Sequence, residues 1–211
     1  MKHRASKVLY DYWNEVRGDR RAPRRLEIEP ARIAGILPES FILERVDLRS
    51  YRFRLAGTKI CEYFGTEFRG QNYLDAWNAE DRAVLTAHLA IVAEQAAIAL
   101  VEFEAWGAGR SVVFEALFVP VVQSGSAVDR LLGTMSPQDL PDWLGTERLT
   151  KRTLLRHELV WPQRAPVMLP AAPHEESFTV HVRDGRLVRD DRRQFRVYDG
   201  GLTLTEKHDN S

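Results

Sequence analysis

Tyr51-Arg-Phe-Arg-Leu-Ala56 alternates cleanly: Tyr51, Phe53 and Leu55 share one side, and Arg52 and Arg54 share the other. A period of two marks a strand with one face on a core and one in water. Just upstream, Phe41-Ile-Leu-Glu-Arg-Val46 reads as a second strand, and the break at Asp47 to Ser50 makes the two a hairpin. Downstream, residues 57–77 are punctuated by Gly57, Gly65 and Gly70 and carry Ile60, Tyr63, Phe64, Phe68, Tyr73 and Leu74. So many apolar side chains between glycines predict short helices wrapped around something.

Asn78, with Asp81 three residues on, caps the next element. Leu85, Leu89, Val92, Ala96 and Ala99 then recur at four- and three-residue steps, which is one long amphipathic helix. Three strands close the block. Val101, Phe103 and Ala105 alternate with Glu102 and Glu104; residues 111–122 are rich in β-branched and aromatic side chains; residues 129–135 follow a Ser/Gly turn. Two strands and three strands separated by helices predict an α+β domain: a five-stranded antiparallel sheet with helices on one face.

Outside this block, Val8, Leu9, Tyr12, Trp13 and Val16 lie at helical spacing over residues 6–17, stopped by Gly18. Large aromatics on a short leading helix predict an anchor for a second copy, so Leu9, Tyr12, Trp13 and Val16 are candidate dimer-interface residues. Arg20, Arg21, Arg24 and Arg25 around Pro23 read as a solvated connector, and residues 30–38 as a short helix begun and ended by proline. The organisation expected is a helical segment over 1–38, for capping or dimerisation, a domain over 39–140 and an extension over 141–211. In that extension, residues 147–158 read as a helix or linker, residues 161–173 as a proline-rich connector, and Phe178, Val180 and Val182 before Asp184-Gly185 as a ribbon. Arg183, Arg186, Arg189, Arg192, Arg193 and Arg196, partly offset by aspartates, read as its exposed face.

The 211 residues carry 30 Lys+Arg against 30 Asp+Glu, so the basic excess of a nucleic-acid or anionic-membrane binder is missing. A single cysteine, Cys61, leaves no intrachain disulfide framework and suits a reducing cytoplasm. The most apolar long stretch, 83–101, is interrupted by Thr86, His88, Glu94 and Gln95, and the N-terminus lacks the apolar core of a signal peptide. A cytoplasmic protein is the expectation.

Leu55-Ala-Gly57-Thr58, Phe64-Gly65, Arg69-Gly70 and Ala79-Glu-Asp81 punctuate the block in an order that resembles a PAS domain. Tyr12-Trp13, Arg17-Gly18, Ile36-Leu-Pro38, Phe53-Arg-Leu-Ala-Gly57-Thr58, Phe64-Gly65-Thr-Glu-Phe-Arg-Gly70 and Trp77 narrow the likeness. They are similar to a family of small bacterial proteins built of little more than one divergent PAS domain. The resemblance implies a non-catalytic sensory or regulatory protein in signal transduction. It would bind a small ligand between sheet and long helix, or dock a second copy and signalling partners on the sheet face. Tyr63, Trp77, His88, Val92, Trp106, Phe114 and Phe118 are the candidate pocket residues; the alternative is a filled core and a pure adaptor without ligand.

Enzymatic motifs fail on inspection. Val112 stands where a dinucleotide loop needs its third glycine, Trp161 stands where a zinc helix begun by His157-Glu158 needs histidine, and no phosphate-binding loop is present. His88 with Asp81 or Glu94 is the one acid–base hint, and no catalytic residue is assigned. No cofactor is expected, with haem or flavin as alternatives. Haem-binding PAS domains place an iron ligand on the long helix, where His88 lies, but Leu89 occupies the apolar stripe, which predicts a flanking, partly solvated His88. Cys61 sits in the wrong context for a flavin adduct and reads as a small core residue.

Overall fold

The computed structural model describes residues 1–162; the connector beyond Pro162, the ribbon over 178–188 and the arginine run over 183–196 lie outside them. The alternating stretch forms β2 (Ser50–Ala56), paired antiparallel with β1 (Ser40–Asp47). β3 (Ile98–Gly107), β4 (Arg110–Val121) and β5 (Arg130–Pro137) are the three later strands. A further strand, β6 (Lys151–Val160), occupies the segment expected to be helix or linker and pairs antiparallel with β3. The sheet is therefore six-stranded, in the order β2-β1-β5-β4-β3-β6, rather than five-stranded.

On one face of the sheet lie α2 (Thr58–Phe64), a short 3-10 turn (Tyr73–Ala76) and α3 (Ala79–Gln95). Asn78 accepts from the Asp81 backbone N–H and starts α3 as its sequence predicts. This inner face holds the main core, in which Phe41, Phe53, Phe103, Phe114 and Phe118 come from four strands. Strand β4 is buried on both sides, because Leu117, Val119 and Val121 point the other way into a second core.

The second core lies under α1 (Arg4–Arg17) and a 3-10 segment (Pro30–Glu39), so helical segments cover both faces where one was expected. Trp13 has 0% exposure, and its indole N–H donates to the Pro120 carbonyl at 2.8 Å; Leu9 and Tyr12 are buried with it. The face read as a dimer anchor is thus occupied by the chain's own sheet, and of the four residues only Val16 keeps partial exposure. Glu115, buried on the same face of β4, fixes the chain's start by accepting from the backbone N–H groups of Lys2 at 2.7 Å and His3 at 3.1 Å.

Two bulges re-aim side chains. Between β1 and β2 the register steps from Ile42↔Leu55 to Leu43↔Phe53, which turns Leu55 outward while Tyr51 and Phe53 stay buried. Between β3 and β6 it steps from Glu102↔Arg156 to Phe103↔Leu154, leaving Leu155 extra. As side chains alternate, that one residue keeps Leu159, His157, Leu154 and Arg152 all opposite the inner-facing Ala99, Val101, Phe103 and Ala105.

Candidate functional site

Of the seven pocket candidates, six sit between the sheet and its inner helices. Tyr63 and Phe114 rings lie 6.2 Å apart, Trp77 meets Phe103 edge-on at 5.1 Å, Phe118 meets Tyr73 at 5.2 Å, and Val92 is fully buried. Trp106 is the exception. It alternates with Phe103 and Ala105, falls on the side of Glu102 and Glu104, and is 36% exposed, so it lines no interior space.

A cavity of about 570 Å³ opens beside these rings, with Phe53, Phe68, Tyr73 and Arg152 in its buried part and Arg52, Gln71 and Asp75 among its exposed residues. Arg152 is 6% exposed. Its guanidinium carbon lies 4.4 Å from the centre of the Phe64 ring, 5.4 Å from Phe68 and 5.9 Å from Trp77. Among the described residues it makes no hydrogen bond and no ion pair. Burial pushes its pKa down to about 10. Next to it the Tyr73 hydroxyl and the Trp77 indole N–H are buried with no hydrogen-bond partner, and burial pushes the Tyr73 phenol up against the opposing pull of Arg152. A charge with little access to water and no ion-pair partner costs stability, and stacking on a ring returns about 2 kcal/mol. Three polar groups without partners on one cluster of the interior therefore leave a cost that the protein does not offset internally.

None of these three groups was a candidate together with the others in the sequence. Trp77 was read as pocket lining for its ring, while Arg152 sat in a presumed linker, and no local pattern announces a bulge that turns it inward.

His88 departs from its expected place. It is 4% exposed, at the i+3 position from Leu85, so the buried stripe of α3 is wide enough to include Leu85, His88, Leu89 and Val92. Its Nδ1 donates to the Val84 carbonyl at 2.9 Å, and its Nε2 accepts from Nδ1 of His157 on β6 at 3.0 Å. Both ring nitrogens of His88 are thus engaged within the protein. Asp81 is held elsewhere, accepting from the Asn78 amide and the Leu154 N–H. Glu94 pairs with Arg45.

Burial holds both imidazoles below the ordinary value of 6.5, and for His88 the neighbouring His157 adds to the effect. Folding therefore withholds protons that the unfolded chain accepts. The stability from this neutral pair is fully present above the unfolded pKa, near 6.5, and is lost as pH falls from there toward the lower folded values. The thermal midpoint is expected to drop between pH 7 and pH 5.5, and to drop less in the double variant His88→Gln/His157→Gln. An equal slope in both proteins would remove the pair as the cause.

Cys61 is half-buried at the edge of the main core, its Sγ 3.9 Å from a Glu67 carboxylate oxygen, and burial pushes the thiol up, which works against a reactive thiolate. On the outer face, a groove of about 480 Å³ runs between the Pro30–Glu39 segment and β1, lined by apolar residues such as Ile28, Ile33, Phe41 and Leu55. No helix among the described residues is long and apolar enough to cross a membrane.

No curated protein and no solved structure matches the chain. A family model does: that of the PAS domain, over residues 1–136, which takes in α1 and the first five strands and ends before β6. With strand hairpin, short helices, long helix and three strands in that order, and nearly two thirds of its length inside the match, the chain belongs to the PAS domain family.

Proposed function

We propose that this PAS protein is a non-catalytic, ligand-responsive regulatory module whose ligand enters the cavity between β2, the Tyr73–Ala76 turn and β6. The observation that carries this reading is Arg152, a buried guanidinium with no polar partner among the described residues. A pure adaptor has no use for such a group, whereas a binding site is where a cost in stability is retained for function. The volume, about 570 Å³, falls within the range of small-molecule sites rather than of a few waters.

The coupling follows from the sheet. Arg152 and His157 both belong to β6, an edge strand that contacts α3 through His88, and β6 is the strand from which the chain runs on toward residue 211. A ligand that binds Arg152 favours the arrangement in which β6 is seated on β3, which is a population shift. Native mass spectrometry of freshly purified protein, with an absorption spectrum from about 300 to 700 nm on the same sample, tests the reading. A bound mass that is lost on exchange into ligand-free buffer and regained from a cell extract's small-molecule fraction supports it. A bare mass under both conditions sinks it, and a visible band means a chromophore instead.

A further inference from the structure

We infer that the cavity recognises a small organic carboxylate, whose anionic end meets Arg152 and whose apolar body lies on Phe53, Phe68 and Tyr73. This rests on the cavity being a ligand site and adds the chemical class of its occupant.

The buried part of the cavity is apolar except for donors. Arg152 offers a flat fork that matches two carboxylate oxygens, and the rings of Phe64, Phe68 and Trp77 pack around that fork and hold it in place. Its neighbour, the Tyr73 hydroxyl, is a second donor without a partner. Opposite charge enters the wall at Asp75, which is exposed and whose Oδ1 accepts from the Asn72 amide at 2.9 Å. Arg52, also exposed, lines the cavity too, so the two exposed side chains balance in charge and the buried excess is one positive unit. A neutral ligand leaves that unit uncompensated. A small inorganic ion compensates it and leaves most of the roughly 570 Å³ unfilled. A carboxylate on an apolar body does both.

Arg152 also comes from β6, beyond the span that the PAS family model matches, so this donor belongs to the part of the chain that follows the shared domain.

The experiment is a thermal-shift and calorimetric titration of the full chain with benzoate, lactate and succinate, beside benzyl alcohol as a neutral isostere of benzoate and inorganic phosphate as a bare anion. At least one carboxylate is expected to raise the midpoint by roughly 5 to 10 °C at a hundredfold excess over its Kd, while benzyl alcohol and phosphate do not. Arg152→Met is expected to weaken that carboxylate on the order of 100-fold, and Arg152→Lys, which keeps the charge without the fork, about tenfold. The Tyr73→Phe variant, which removes only the hydroxyl, folds without a new cavity and is expected to weaken binding several-fold. In the absence of ligand, Arg152→Met is expected to melt no lower than the wild type, since methionine keeps the stacking on Phe64 and removes the unpaired charge.

The outcomes separate the two readings. If benzyl alcohol binds as well as benzoate and Tyr73→Phe or Arg152→Met alters both equally, the cavity is the ligand site and the carboxylate class is wrong. Phosphate binding alone, lost in Arg152→Met, overturns the carboxylate in favour of an oxyanion. No shift with any of the three carboxylates overturns the class. Carboxylate binding that survives Arg152→Met and Tyr73→Phe unchanged overturns the site itself, and with it the proposed function.

Discussion

Alanine at Gly133 is expected to lower stability by about 3 kcal/mol or more, a large share of the roughly 5–15 kcal/mol that a domain has in total. Gly133 lies in the middle of β5, directly across from Phe41 on β1 and Phe118 on β4. The two rings meet over it with their centres 5.2 Å apart. A methyl group built there stands 2.2 Å from the Phe41 ring and 2.4 Å from the Leu117 carbonyl oxygen. A ring can turn, but the carbonyl belongs to a central strand hydrogen-bonded on both sides and cannot move without breaking the ladder. Urea unfolding followed by tryptophan fluorescence checks this, and the companion variant Phe41→Leu, which shortens one obstacle, is expected to restore only part of the loss. A midpoint close to wild type for Gly133→Ala would mean that β5 does not sit this tightly between its neighbours.

The second large effect is expected at Trp13. Truncation to alanine empties a fully buried indole site between α1 and the sheet and leaves the Pro120 carbonyl without its donor. A loss of about 3–5 kcal/mol, or on the order of 10 °C in midpoint, follows from comparable core truncations. What makes the experiment informative is its dependence on protein concentration. A side chain that packs inside its own chain gives the same loss at every concentration, whereas an anchor between two copies gives a loss that shrinks as dilution separates the wild-type pair. Midpoints that converge on dilution would contradict the intrachain placement and return Trp13 to an interface.

Trp13 also shows where local sequence runs out. Its helix was legible from the spacing of Leu9, Tyr12, Trp13 and Val16, because amphipathic periodicity is a property of neighbours. What covers the stripe is not, since a second copy and the far side of one's own sheet look alike to a helix. The same limit applies to β4. Its unbroken apolar run from Ala116 to Val121 is the signature of a strand covered on both faces, and it was the one available sign that α1 folds back. The inner core was read well for a matching reason: Phe53, Phe103, Phe114 and Phe118 obey alternation. Leu55 was misread because alternation counts from a register that a bulge resets, whereas Trp106 was read as pocket lining for its ring although alternation already put it on the side of Glu102 and Glu104. His88 was placed on the flank of α3 because too narrow a stripe was drawn, and its partner His157 lies 69 residues away on a strand that the composition of its segment disguised. Arg152 shares that strand and that disguise.

The register of β6 against β3 gives this chain an unusual kind of sensitivity to mutation. Removing the one codon for Leu155 restores a regular ladder between β3 and β6 with the partners unchanged, so Leu154 stays opposite Phe103 and Arg152 stays opposite Ala105, facing inward. A single residue inserted between Arg152 and Thr153, with the bulge at Leu155 kept, instead moves Arg152 opposite Trp106 and out into solvent. A lineage carrying that insertion keeps its secondary structure, its hydrophobic content and nearly all its identity to the parent, while the cation in the cavity is gone. Two such proteins, aligned with a single gap, would look like close copies and would answer to different molecules.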